Sequence, residues 1–252
     1  MLANAFRRWW KALLQGGTWT ALVWGAVFGF LPLLLLLFLG TGSLLSALFA
    51  TRLPLGSSHR PPMVFTDHVL PSMLLVYVII IVISPFFTAG IYGLLGQAVK
   101  GQPVTWGTFW VLGRRLYGRS WGFIGYIVLY VACLALVSLL AIVWLHVLGI
   151  ILIVAAIVFS MPWALRMTGG LFVDQNTWGH SLILSFRKSG YWPLLGGLIL
   201  TGIAALVILT VIATLMRFLG PLGLILYGAV DLAAALVFPL WLFALYTAAR
   251  HP

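Results

Sequence analysis

The chain alternates long apolar stretches with short polar ones. Runs such as Trp19 to Leu39 and Leu194 to Met216 exceed the roughly 18–20 residues that cross a bilayer core. Six spans can be drawn, at 18–40, 70–95, 121–144, 147–166, 193–216 and 220–248. Only a short turn around His146 and Gly149 separates the third from the fourth, and Gly220-Pro221 breaks the chain between the fifth and sixth. Each close pair predicts a transmembrane hairpin.

Ahead of the odd-numbered spans the pattern becomes helical and amphipathic. In 2–15, Leu2, Phe6, Trp9, Trp10 and Leu13 share one face, and Asn4, Arg8, Lys11 and Gln15 the other. Residues 105–118 set Trp106, Phe109, Trp110 and Tyr117 against Thr108 and Arg115. Residues 177–190 set Leu182, Ile183 and Phe186 against His180, Ser181 and Lys188. Such helices, basic on one side and aromatic on the other, lie in the membrane interface. The expected lipid contacts are Arg7, Arg8, Trp9, Trp10 and Lys11, then Trp106, Arg114 and Arg115, then Trp178, Arg187 and Lys188. Thr105 and Thr177 are the expected N-caps. Gly16, Gly118 and Gly190 are where each helix should end and turn into the bilayer.

These blocks recur. Ser84-Pro85-Phe86-Phe87, Met161-Pro162-Trp163 and Phe238-Pro239-Leu240-Trp241 place prolines 77 residues apart in the even-numbered spans. Thr105-Trp106-Gly107 matches Thr177-Trp178-Gly179, and Leu116-Tyr117-Gly118-Arg119-Ser120-Trp121 echoes Leu14-Gln15-Gly16-Gly17-Thr18-Trp19. Two blocks recurring in the same order predict a threefold internal repeat. The expected fold is an all-α single transmembrane domain, with units of about 1–100, 101–173 and 174–252, each an elbow helix followed by a hairpin. Prolines at 32, 85, 162 and 239 would kink their helices, and the backbone groups so released need partners from neighbours or a polar cavity.

Composition narrows the class. At 63% hydrophobic, 7% charged and a mean hydropathy of +1.16, the chain carries more apolar surface than a soluble domain hides. The net charge of +11 does not point to nucleic acid, because the basic residues cluster at the ends of apolar runs. Arg7, Arg8, Lys11, Lys100, Arg114, Arg115, Arg119, Arg166, Arg187, Lys188 and Arg250 fall on one side of the six-span scheme. Arg52, Arg60 and Arg217 fall on the other. The positive-inside rule then places both termini in the cytoplasm, in a multi-pass protein of the cytoplasmic membrane. The N-terminal basic residues and the apolar stretch after them read as a retained first helix, not a cleaved signal. The single Cys133 excludes a disulfide framework within the chain.

Ser84-Pro85-Phe86-Phe87-Thr88-Ala89-Gly90, followed by Gly101-Gln102-Pro103-Val104-Thr105-Trp106-Gly107-Thr108-Phe109, resembles the YesL-like bacterial membrane proteins. Residues 166–197 resemble the YciC-like and glycerophosphodiesterase-membrane-domain proteins, with their repeated amphipathic elbow and tryptophan-led span. The resemblance covers about the middle two-thirds of the chain. It implies an architecture and a bacterial origin, not an activity.

Catalytic and cofactor signatures are sparse. No P-loop, dinucleotide fingerprint or metal-ligand spacing occurs, so no cofactor is expected. Gly118-Arg119-Ser120-Trp121-Gly122 fits Gly-x-Ser-x-Gly, but a nucleophile elbow needs a strand before the serine. His59, Asp67 and His68 are weak candidates for a metal in the loop between the first two spans. Asp231 lies inside the sixth span, so it is either a hydrogen-bonded clamp between helices or a ligand- or ion-coupling group. Gly25-x-x-x-Gly29 should seat another helix of the bundle, self-association being the second reading. The expected function is non-enzymatic: handling or sensing a lipid-like or hydrophobic molecule, or assisting a transporter. A secondary transporter or channel using Asp231 comes next, and a membrane-embedded enzyme third. The expected partners are membrane lipids, a transporter or a second copy of the chain, and not nucleic acid.

Overall fold

Apolar runs this long satisfy their backbone groups inside the membrane only as helices, and helices are what form. A computed structural model describes residues 1–40, 65–187, 189–218 and 220–250. Its helices are α1 (Leu2–Leu14), α2 (Trp19–Gly40), α3 (Phe65–Val99), α4 (Trp106–Leu145), α5 (Val147–Phe172), α6 (Trp178–Ser185), α7 (Tyr191–Arg217) and α8 (Gly220–Arg250). Among the described residues there is no strand. Among the described residues, five segments are long and apolar enough to cross a bilayer: Leu74–Val99, Trp106–Val143, Val147–Phe172, Tyr191–Met216 and Ala233–Arg250. The chain is a multi-pass membrane protein. The first expected span coincides with α2, but the side chains of much of its second half lie outside the described residues.

Both close hairpins form. His146, at φ +49, is the single residue between α4 and α5. Gly149 sits inside α5, not in the turn, and is buried where a Cβ would strike the carbonyl of Ala141. Only a short link after Arg217 separates α7 from α8, and Pro221 occupies the first turn of α8, where a missing N–H costs no helical hydrogen bond.

Packing is concentrated at one end of the molecule. Its core joins the C-terminal halves of α3, α5 and α8 to α1 and the N-terminal turns of α2, α4 and α7. The helices that carry the prolines spaced 77 residues apart, α3, α5 and α8, meet through aromatic rings. Tyr92 of α3 lies 5.3 Å from Phe172 of α5 and 5.8 Å from Phe243 of α8. Gly96 and Gly169 allow the approach: a Cβ at Gly96 would stand 2.6 Å from the carbonyl oxygen of Phe172, and one at Gly169 2.5 Å from the ring of Tyr246. The buried positions are Ala89, Gly90, Leu94 and Leu95 in α3, then Arg166, Met167, Leu171 and Phe172 in α5. In α8 they are Phe243, Ala244 and Ala248, with Ala249 half-buried.

One expected elbow is absent. Residues 105–118 are not a separate helix; they open the continuous α4, which at about 1.5 Å per residue runs ~60 Å. That is about twice the ~30 Å hydrocarbon core. Glycine inside a helix costs only about 1 kcal/mol, and Leu116, Ser120 and Phe123 bury the α4 face on either side of Gly118, so packing carries the helix through. Thr105 caps α4 reciprocally with Thr108. The first elbow does end. The Thr18 hydroxyl donates to the Ala12 carbonyl at 2.7 Å and the Trp19 indole N–H to the Leu13 carbonyl at 3.1 Å, satisfying the last turn of α1. Gly17 is required there, because a Cβ would collide with the carbonyl of Val104. The third elbow shortens to α6, with Thr177 at its N-cap position but making no side-chain cap, and Gly190 at φ +69 starts α7.

Candidate functional site

The carbonyl ends of α3, α5 and α8 converge at the packed end, and cations are expected where helix dipoles are negative. Lys100 follows α3, Arg166 lies one turn and a half before the end of α5, and Arg250 closes α8. One carboxylate joins Lys100 and Arg250. Asp174 follows α5, where Val173 and Asp174 N–H donate to the Gly169 carbonyl, Asn176 N–H donates to that of Gly170, and Gln175 turns the chain at φ +55. The Oδ2 of Asp174 accepts the Tyr246 hydroxyl at 2.5 Å and the Arg250 guanidinium, while Oδ1 faces the Lys100 ammonium at 3.6 Å. Arg250 also donates to the Tyr246 hydroxyl oxygen at 3.2 Å. This carboxylate therefore ties the ends of three helices together.

The Lys100 contact is the looser pair. Burial, and then the neighbouring charge of Arg250, hold its ammonium below the ordinary lysine value, outweighing its distant carboxylate. Arg166 is 8% exposed, and its guanidinium donates to the carbonyls of Arg187 and Ser189, fixing the link between α6 and α7. Arg119 holds the other link by donating to the carbonyl of Gln175. A cavity of about 170 Å³ opens among Arg166, Arg187, Ser189, Tyr246 and Arg250.

The expected lipid contacts distribute unevenly. On α1, Phe6 and Trp10 are exposed with Arg7 and Lys11, but Trp9 packs inward, 5.9 Å from Trp241, beside the buried Ala5 and Ala12. The apolar face of α1 thus splits into a core stripe and an outward stripe. Trp106, Trp110, Arg114 and Arg115 are exposed on α4, beside the Trp24 ring that stacks on Phe109 at 4.3 Å. Trp178 donates its indole N–H to the Gly122 carbonyl at 3.1 Å, and a Cβ at Gly122 would stand 2.6 Å from its ring. Arg187 is exposed at the mouth of the cavity, while Lys188 lies outside the described residues.

Gly-x-Ser-x-Gly is a packing motif here. Ser120 is fully buried within α4, Gly122 receives Trp178, and no strand precedes the serine. At Gly25 and Gly29 an added Cβ meets nothing within 4 Å, so no described helix seats on that stripe, contrary to expectation. Asp231 falls within α8, and Asp67 and His68 open α3; the three side chains, with the whole of His59, lie outside the description. Among the described residues no three His, Cys, Asp or Glu side chains gather as a metal would need.

Sequence reasoning counted Arg166 and Lys100 only for topology and passed over Asp174. The available signal was a lone acid among the basic positions that precede the fifth span. In comparisons with known proteins, no family model, no curated relative and no solved structure matches the chain. The likeness to YesL-like and YciC-like proteins therefore rests on the quoted motifs alone.

Proposed function

We propose that the protein is a non-enzymatic membrane protein that handles or senses a lipid-like molecule. The observation that carries this reading is the exposure of the helices beyond the packed end. Leu129, Leu136 and Leu139 of α4 are 65%, 61% and 64% exposed, and Leu206 of α7 is 68% exposed. Inside a membrane such surfaces meet acyl chains.

Among the described residues, polar groups at these depths close on their own helices or hairpins. Thr210 and Thr214 donate to the carbonyls of Leu206 and Thr210, and the Tyr130 and Ser160 hydroxyls pair across α4 and α5. A transporter of polar solutes lines its route with several polar groups. Nothing described of α8 favours the alternative through Asp231.

The same reading includes six spans with both termini cytoplasmic, in three repeats. The recurrence of buried positions after Pro85, Pro162 and Pro239 supports the repeat, and the gathering of basic residues at one end supports the orientation. Lipid retention tests the function. Protein extracted in mild detergent should carry near-stoichiometric phospholipid in native mass spectrometry. Delipidated protein that takes up no lipid, but passes a polar solute in proteoliposomes, would overturn the reading.

A further inference from the structure

Arg166 is a buried cation held by carbonyl dipoles. Among the described residues no carboxylate pairs with it, since Asp174 takes Arg250 and Lys100. The sequence offers few other candidates: Asp67 and Asp231 are the remaining acids, one in the first turn of α3 and one within α8 well before Tyr246. Arg187 and Arg250 line the same cavity, so three arginines border a space whose neighbourhood holds one carboxylate, Asp174. A desolvated cation without a counter-charge is costly, which makes an anion the natural complement.

Two further features specify the anion. The N-terminus of α7, where Gly190 makes no side-chain cap, borders the cavity through Ser189 and Leu194, adding a positive dipole end. At about 170 Å³ the cavity has room for about five waters at ~30 Å³ each, enough for a phosphate group. Beside the mouth, Phe186 and Trp192 are 58% and 70% exposed, with Trp163 and Tyr191 between them. Aromatic side chains of this kind mark the headgroup level of a bilayer.

We propose that the cavity between α5, α8 and the α6–α7 link binds the phosphate of an anionic lipid headgroup, with Arg166, Arg187 and Arg250 as its ligands. The inference rests on the lipid-handling reading only for the source of the phosphate. Arginine forks suit phosphate oxygens in paired hydrogen bonds.

The test uses the full chain in detergent, with dioctanoyl phosphatidic acid, dioctanoyl phosphatidylcholine and inorganic phosphate as separate probes in native mass spectrometry and thermal-shift titrations. Phosphatidic acid should bind and stabilise, inorganic phosphate should compete with it, and phosphatidylcholine should bind at least tenfold more weakly. Arg187→Gln, an exposed position that leaves the core intact, should weaken phosphatidic acid about tenfold or more while its binding of phosphatidylcholine stays that of the parent protein. Arg166→Gln should weaken phosphatidic acid further, and if it fails to fold Arg187→Gln still decides. Equal binding of the two lipids, or Arg187→Gln protein that binds phosphatidic acid as the parent does, would overturn the anion site while leaving lipid handling standing. Binding of inorganic phosphate without any of the lipid would overturn the lipid source.

Discussion

The basic end and the outer halves of the same helices are held by different forces. At the basic end α3, α5 and α8 touch through rings and bare glycines, and Asp174 links their carbonyl ends. In its outer half α4 presents Tyr130, Leu134, Ser138 and Ala141 as one narrow half-buried seam, while Leu136 and Leu139 point away, exposed. Apolar side chains gain nothing by leaving lipid for one another, so close approach at small residues, such as Gly149 against the Ala141 carbonyl, is what draws helices together there. Tight association therefore needs glycine, aromatic shape or charge, and the sequence supplies these mostly at one end.

Substitutions should reproduce that division. Phe109 is fully buried and stacked on Trp24. Phe109→Ala should cost about 3–5 kcal/mol, whereas Leu136→Ala should cost less than about 0.5 kcal/mol; chemical denaturation in mixed micelles reads both. Similar losses at the two positions would erase the contrast.

The carboxylate clasp comes next. Asp174→Asn removes the charge from a side chain only 16% exposed and should cost about 2 kcal/mol, the range of hydrogen bonds to charged groups. An unchanged melting temperature would show that the three helix ends do not depend on it.

Two glycines sharpen the contrast between elbows. Gly118 has open space around it in a continuous helix, so Gly118→Ala should be neutral or stabilise by up to about 1 kcal/mol. Gly17→Ala meets the Val104 carbonyl and should destabilise by about 1–3 kcal/mol. The opposite ordering would mean that α4 breaks at Gly118 after all.

The smallest effect concerns pH. The fold disfavours protonated Lys100, so its contribution to stability rises as pH climbs through its lowered value and levels off above the ordinary 10.5. Relative to Lys100→Gln, the parent protein should gain melting temperature as pH rises towards about 10.5. A relative loss would mean that its pair with Asp174 dominates.

Much of this architecture was legible because a bilayer permits so few backbone solutions. The hairpin turn at His146, the break before Gly220 and the first elbow all follow from local sequence. The continuity of α4 does not, because Gly118 is a helix breaker only where no neighbour buries the flanking turns. The clasp was illegible for a related reason. Asp174, Tyr246 and Arg250 come together only when α5 and α8 pack, and no local periodicity records that contact.

The central claim, that the chain packs at its basic end and opens to lipid beyond it, is tested most directly by spin-label accessibility. Cysteines would be placed singly along 126–143 in a Cys133→Ala background, with the protein in nanodiscs. The account predicts one oxygen-protected stripe, through 130, 134, 138 and 141, with 136 and 139 as accessible to oxygen as free lipid and inaccessible to aqueous nickel reagent. A second protected stripe through 136 and 139, or nickel access along either, would contradict it.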